Sequence, residues 1–209
     1  SVRINPDIDA HTHKYVTTGL YENKFGISQH EFVKLIEILQ KSEHINFIGL
    51  HFHVGSQITR VEEVFGLECR RVNEIVRYFE GKGLKVNNIN LGGGLGVDYD
   101  DPDGSAIADF GTWFSTIAAN IERRPDQAVH VEPGRSLVAQ CATLISRVVF
   151  VKSGETKNFL IMDAGMNDLI RPALYGAYHK IENLSAQMRT FFPTHQAYDI
   201  VGPVCESSD

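Results

Sequence analysis

The chain has 209 residues, 43% of them hydrophobic and 22% charged, which is enough for one globular domain or a domain and a half. A net charge of -6 without a basic stripe argues against a nucleic-acid partner, and no apolar run approaches the ~20 residues of a membrane span. Only Cys69, Cys141 and Cys205 are present, far apart, which disfavours a disulfide framework and suits a reducing cytoplasm.

Val2 to Pro6 reads as the tail of a strand, and the chain closes on Val204 to Asp209 without tapering. Both ends read as cut, so an internal fragment is expected. Ser28 with Glu31 forms a capping box for a helix running to about Lys41, with Ile27 placed to staple onto Phe32. A strand from Phe47 to Val54 follows. A second helix, Thr59 to Glu80, carries Val61, Val64, Phe65, Val72, Ile75, Val76 and Phe79 at helical spacing, and Gly81 and Gly83 stop it. The run Val86 to Leu91 leads into glycines. A third helix spans Ser105 to Arg123, and Ala128 to Val131 reads as the next strand. Strands alternating with amphipathic helices predict parallel βαβ units. After about Ser136 the pattern changes. Cys141 to Lys152 and Asn158 to Asp163, joined by the turn Ser153-Gly154-Glu155, predict a hairpin in an antiparallel sheet.

Each α/β strand ends in a polar or glycine-rich motif, the end at which a parallel barrel builds its active site. His51, His53, Gly55 and Ser56 follow one strand. Gly92-Gly93-Gly94-Leu95-Gly96 follows the next, and Glu132-Pro133-Gly134-Arg135 the third. Glycines let backbone N–H groups approach an anion, and Arg135 adds a cation. Glu132 supplies a lone carboxylate. Together they suit a phosphorylated cofactor with a basic ring nitrogen. The ordinary alternative is tight turns and a surface ion pair. His51-x-His53 and His11-x-His13 are possible metal pairs, but no carboxylate or cysteine cluster completes a ligand set, so no metal is expected. One of these imidazoles stacking on a ring is the sharper reading. Arg171, in an apolar loop with Tyr175 four residues on, suits a carboxylate, although a lone Arg is most often solvated. Cys205 beside Glu206, in a loop bounded by Gly202-Pro203, suits proton transfer. A small core residue is the alternative there.

These motifs together resemble the pyridoxal-phosphate-dependent decarboxylases whose cofactor domain is a (β/α)8 barrel with a C-terminal β domain. The likeness runs along essentially the whole chain, from Thr18-Gly19 through Asn23 to Ile27, Gly49 to Gln57, Asn90 to Gly96, Val131 to Arg135, Asp163 to Tyr175 and Gly202 to Asp209. Arg171 to Tyr175 and Cys205 to Asp209 are similar to the branch acting on diaminopimelate. The resemblance implies an α/β fold with residues 1–136 as the second half of the barrel and 137–209 as the start of an antiparallel β domain. It implies decarboxylation of meso-diaminopimelate to L-lysine and CO2, in the cytoplasm. It implies that His53 stacks on the pyridine ring and that Glu132 partners the ring nitrogen. Ser56, Gly92, Gly93, Gly94 and Arg135, with Pro133 and Gly134 in the same motif, would hold the cofactor. Arg135, Arg171, Tyr175 and Glu206 would contact substrate, and Cys205 would donate a proton. Cys205 and Glu206 would serve the neighbouring subunit's site, which implies a homodimer.

The chain departs from the family at one point. The cofactor-anchoring lysine belongs to the first barrel strand, and Lys14, Lys24, Lys34, Lys41, Lys82, Lys85, Lys152, Lys157 and Lys180 all fall in other contexts. A late cofactor-contacting tyrosine also has no counterpart. The 209 residues alone are therefore expected to be inactive. Two other readings compete. A decarboxylase of ornithine- or arginine-type substrates would not need Arg171, and a non-catalytic pyridoxal-phosphate carrier on the same barrel would not need a second domain.

Overall fold

A computed structural model describes residues 1–8, 24–104, 108–185 and 196–209. The His11-x-His13 pair, Lys14, Thr18-Gly19 and the Ser105 start of the third helix lie outside them. The chain forms two units, Ser1–Asp98 with Ser105–Cys141, and Tyr99–Gly104 with Ala142–Asp209. Tyr99–Gly104 joins the second unit because Arg171 covers the Tyr99 ring and Lys180 binds Asp103.

The first unit is a parallel sheet of β1 (Val2–Arg3), β2 (Gly49–His51), β3 (Asn88–Asn90) and β4 (Ala128–His130), in the order β1-β2-β3-β4. Helices α1 (Phe32–Lys41), α2 (Val61–Gly81) and α3 (Phe110–Asn120) fall between successive strands, and α4 (Arg135–Val138) follows β4. Strand order follows chain order, so no reversal opens a crevice within the sheet. The ladders are shorter than the apolar runs, yet Phe52, Val54 and Leu91 stay buried beyond them. Phe65, Cys69, Val72 and Phe79 of α2 and Trp113 of α3 complete the core, with the Phe65 and Trp113 rings 5.4 Å apart. Glu31 reaches back to the Ser28 N–H at 3.3 Å, so that part of the capping box forms. Residues 29–31 make a 3-10 turn before α1. Helix α3 begins at Phe110, where Asp109 caps it by accepting from the Thr112 N–H at 2.9 Å.

The second unit is a three-stranded sheet of β5 (Val148–Ser153), β6 (Asn158–Met162) and β7 (Asp199–Val201), with the short helix α5 (Arg171–Tyr175). β5 and β6 form the expected antiparallel hairpin. β7 lies parallel to β6, so the sheet is mixed rather than antiparallel. The long connection from Met162 to Asp199 permits the crossover that a parallel pair requires.

Two buried polar residues of α2 behave in opposite ways. Asn73 is satisfied: it donates to Asn120 O at 2.8 Å and accepts from Glu122 N at 2.9 Å, closing the end of α3. Glu68 is fully buried, and neither carboxylate oxygen has a hydrogen-bond partner among the described residues. Burial drives its pKa well above the usual carboxylate range, and the adjacent Cys69 thiol is pushed up to about 12, again chiefly by burial. Glu68 therefore keeps its proton in the fold, while an unfolded Glu releases it near pH ~4.3. Above that pH the unfolded state binds fewer protons, so this group's contribution to stability falls as pH rises, by about 1.4 kcal/mol per pH unit, until its folded pKa is passed. In the complete protein, Glu68→Gln is expected to raise the melting temperature at pH 8 and to lose that advantage towards pH 5. Parallel melting curves for variant and parent across this range would show that Glu68 is not held in a dry site.

Candidate functional site

The loop after β3 is wedged between the loops after β2 and β4. A Cβ on Gly92 would meet Phe52 O at 2.4 Å, one on Gly93 would meet Glu132 O at 1.9 Å, and one on Gly94 would meet Gly55 O at 2.3 Å. Gly92 and Gly94 also take φ of +68° and +110°, which side-chain-bearing residues avoid. Gly134 meets no such limit, since a Cβ there has open space. The backbone ties the three loops together: Glu132 N donates to Gly92 O at 2.6 Å, and Ile58 N to Gly94 O at 2.9 Å. Two of the three glycine N–H groups are already engaged. Gly92 N donates to Asn90 Oδ1 at 2.8 Å and Gly93 N to His53 Nδ1 at 3.2 Å. Ser56 and Pro133 lie half-buried in the flanking loops.

Glu132 projects from the end of β4 and is about half exposed. Its Oε1 accepts from Asn90 Nδ2 at 2.8 Å and lies 3.6 Å from His51 Nε2. Burial, aided by the Arg3 cation, lowers the His53 pKa. That ring is therefore neutral near pH 7, and since Nδ1 accepts from Gly93, its proton sits on Nε2. Burial lowers His51 too, against the pull of Glu132, and burial lowers Arg3 with Glu132 again opposing. His51 Nε2 and Arg3 Nη2 are buried with no hydrogen-bond partner among the described residues. Arg135 opens α4 and donates to Gln57 Oε1 at 3.0 Å. Gln57 in turn donates to Val97 O at 2.6 Å, from a left-handed φ of +63°.

Arg3, Asn90 and Gln57 were not among the expected site residues. The register that pairs Arg3 with His51 comes from the sheet and has no local signal. Asn90, two residues before the glycines, carried a readable one: an amide side chain able to accept from the Gly92 N–H. Among the described residues, no group of three or more His, Cys, Asp or Glu is arranged to hold a metal ion, and no lysine lies in β1 to β4.

In the second unit Arg171 opens α5, and Tyr175 stands one turn later, before Gly176 ends the helix with φ +58°. The Arg171 guanidinium lies 4.4 Å from the Tyr99 ring centre, and its Nη1 is 3.1 Å from His179 Nε2. Its Nε is buried and has no hydrogen-bond partner among the described residues. Cys205 is an exposed free thiol, and Glu206 beside it accepts from Ser207 Oγ at 3.2 Å. Asp209 fixes this turn. Its carboxylate accepts from Val204 N at 2.6 Å and from Met166 N, so it links the segment after β7 to the loop after β6. Gly165 and Gly202 leave room for it: a Cβ on either would meet its oxygens, at 2.5 and 2.3 Å.

The chain is similar to known proteins in sequence and in fold. The pyridoxal binding domain of the pyridoxal-dependent decarboxylases matches residues 1–139. A diaminopimelate decarboxylase of Bacteroides thetaiotaomicron is 50% identical over 99% of this chain and 52% of its own length. Another, from Haemophilus influenzae, is 38% identical over 100% of this chain and 49% of its own. The crystal structure of diaminopimelate decarboxylase from Helicobacter pylori complexed with L-lysine superposes with a TM-score of 0.82 at 38% identity, over 99% of this chain and 49% of that one. The chain spans about half the length of the curated relatives it matches. No helix among the described residues is long and apolar enough to cross a membrane. With its α/β architecture, its parallel sheet and the motifs at the ends of the strands, the chain belongs to the pyridoxal-dependent decarboxylase family.

Proposed function

We propose that the complete protein decarboxylates meso-diaminopimelate to L-lysine and CO2 with pyridoxal phosphate. The observation that carries the substrate is Arg171, a guanidinium seated on an aromatic face with a buried, unpartnered Nε. Such a group answers a carboxylate. Diaminopimelate keeps a second carboxylate distant from the one it loses, whereas ornithine and arginine have none there. On this reading residues 1–136 furnish the second half of a (β/α)8 barrel and 137–209 open the β domain. The protein is a cytoplasmic homodimer.

The residues of the first unit fit the cofactor. The glycine loop leaves no room for side chains, and near Glu132 the donor Arg3 Nη2 and the ring atom His51 Nε2 are buried without a hydrogen-bond partner among the described residues. Arg135, Ser56 and the Gly92-Gly93-Gly94 loop hold the phosphate. With Gly92 N and Gly93 N engaged by Asn90 and His53, the N–H of Gly94 is the glycine donor assigned to it. Pro133 and Gly134 turn the chain so that Arg135 follows Glu132. His53, neutral and fixed by Gly93, lies against the ring. Pyridoxal phosphate supplies an electron sink for the pair released when CO2 leaves. Glu132 holds the proton on the ring nitrogen, because a nearby negative charge favours the cationic form. Asn90 aims that carboxylate without cancelling its charge. Arg171, with Tyr175 and Arg135, orients the distal end of the substrate. Cys205 gives its thiol proton to the carbon that has lost CO2, and Glu206 contacts substrate, both in the neighbouring subunit's site.

Two measurements on the complete protein test this reading. Glu132→Gln is expected to lower kcat by about 100-fold, or ~2.7 kcal/mol, while the cofactor stays bound by absorbance. Turnover close to the parent's would remove Glu132 from this role. Arg171→Ala is expected to raise KM for diaminopimelate by a factor equivalent to ~1.5–3 kcal/mol, with cofactor affinity unchanged. Equal KM values in variant and parent would make Arg171 a structural residue and withdraw the substrate assignment.

A further inference from the structure

Arg171 is clamped by two neutral groups that the reaction scheme above does not use. Its guanidinium lies on the Tyr99 ring at 4.4 Å, and its Nη1 meets His179 Nε2 at 3.1 Å. The imidazole packs edge-on against the same tyrosine, with ring centres 5.0 Å apart and planes at 64°. A guanidinium only donates, so His179 Nε2 must accept, and the neutral ring carries its proton on Nδ1. Nη1 belongs to the end of the fork taken by His179. The other edge, Nε with Nη2, is the pair that grips a carboxylate side-on, and Nε has no hydrogen-bond partner among the described residues.

We propose that His179, with Tyr99 as the floor beneath the guanidinium, is a positioning residue that selects substrates bearing a distal carboxylate, by turning the Nε–Nη2 edge of Arg171 towards it. This rests on the assignment of Arg171 to that carboxylate. The consequence is specific. L-Lysine keeps the distal carboxylate of diaminopimelate, whereas 1,5-diaminopentane has the same chain and two amines but no carboxylate. His179 matters for binding the first and is irrelevant to the second. A residue that merely supports the fold would affect both.

The test uses the complete, cofactor-loaded protein with His179→Phe, which keeps a ring against Tyr99 but offers no acceptor, and His179→Gln, whose amide oxygen restores one. Arg171→Ala and the Arg171→Ala/His179→Phe double variant complete the set. Dissociation constants for L-lysine and 1,5-diaminopentane are read by calorimetry, and KM and kcat with diaminopimelate. His179→Phe is expected to weaken L-lysine about tenfold and to raise KM by about the same factor. It should leave diamine binding and kcat within about twofold, and His179→Gln should recover most of the loss. In the Arg171→Ala background, His179→Phe should change little further. Unchanged lysine binding in His179→Phe overturns the proposal, as does an equal loss for lysine and diamine. If Arg171→Ala itself leaves lysine binding intact, the substrate assignment falls and this inference falls with it. An Arg171→Ala effect without a His179→Phe effect overturns only the role of His179.

Discussion

The loop after β3 passes so close to the ends of β2 and β4 that the space for a Cβ is already filled by backbone oxygens at three successive positions, Gly92, Gly93 and Gly94. Everything at the top of the first sheet depends on that approach. It lets Glu132 N reach Gly92 O and Ile58 N reach Gly94 O, so three loops become one surface. It also sets the polar side chains. Asn90 bridges the loop after β3 to Glu132, using its oxygen for Gly92 N and its nitrogen for the carboxylate. His53 is fixed at its tautomer by Gly93 N. An alanine at Gly93 would have to push Glu132 away and would undo these contacts together, because buried packing of this kind has no slack.

The second unit achieves the same end with one carboxylate in place of three glycines. Asp209 accepts from backbone N–H groups on two segments, Met166 after β6 and Val204 after β7. Small residues at 165 and 202 are the condition for its seat. Cys205 and Glu206 lie within the turn that it closes. A charged acceptor serving two backbone donors makes stronger bonds than a neutral one, which suits a turn whose side chains are exposed and lack packing support.

Much of this was legible in the sequence, for identifiable reasons. Helix α2 and the alternation of parallel strands with helices in the first unit follow from apolar spacing, and the glycine, Glu132 and Arg135 motifs fall at strand ends because the pattern places them there. Strand lengths were not legible, since Phe52, Val54 and Leu91 are as buried as the ladder residues and hydrophobicity cannot tell the two apart. The start of α3 was, in hindsight, written in Asp109 and Thr112. The parallel pairing of β6 and β7 was hidden because it joins segments separated by a long connection. Arg3 and Tyr99 were missed for a related reason. Register brings Arg3 beside His51, and Tyr99 reaches Arg171 from a segment preceding α3. Neither relation leaves a local trace. Buried Glu68 was invisible as well, since a Glu on a helix reads as a solvated face.

Charge in this molecule is handled in two contrasting ways. Lys180 meets Asp103 at 2.8 Å and Glu182 at 2.9 Å, and these hydrogen bonds raise its pKa. Its cation is answered within the protein. Arg171, in the same unit, is held by an aromatic face and an imidazole lone pair. Cation–π contact is worth ~0.5–2 kcal/mol and a hydrogen bond to a charged group ~1.5–3 kcal/mol. Together they suffice to fix a side chain, yet neither supplies a negative charge. A resident carboxylate would have to be displaced by an incoming one, and separating a buried ion pair costs about 3–5 kcal/mol. Neutral partners avoid that loss. Glu132 is aimed in a comparable way: Asn90, an uncharged amide, makes its short contact, while the His51 imidazole stays at 3.6 Å with its pKa lowered by burial and the Arg3 cation acts on the carboxylate through its field. Arg171 and Glu132 thus take their orientation from uncharged hydrogen-bond partners, which distinguishes them from the ion pairs that brace the surface.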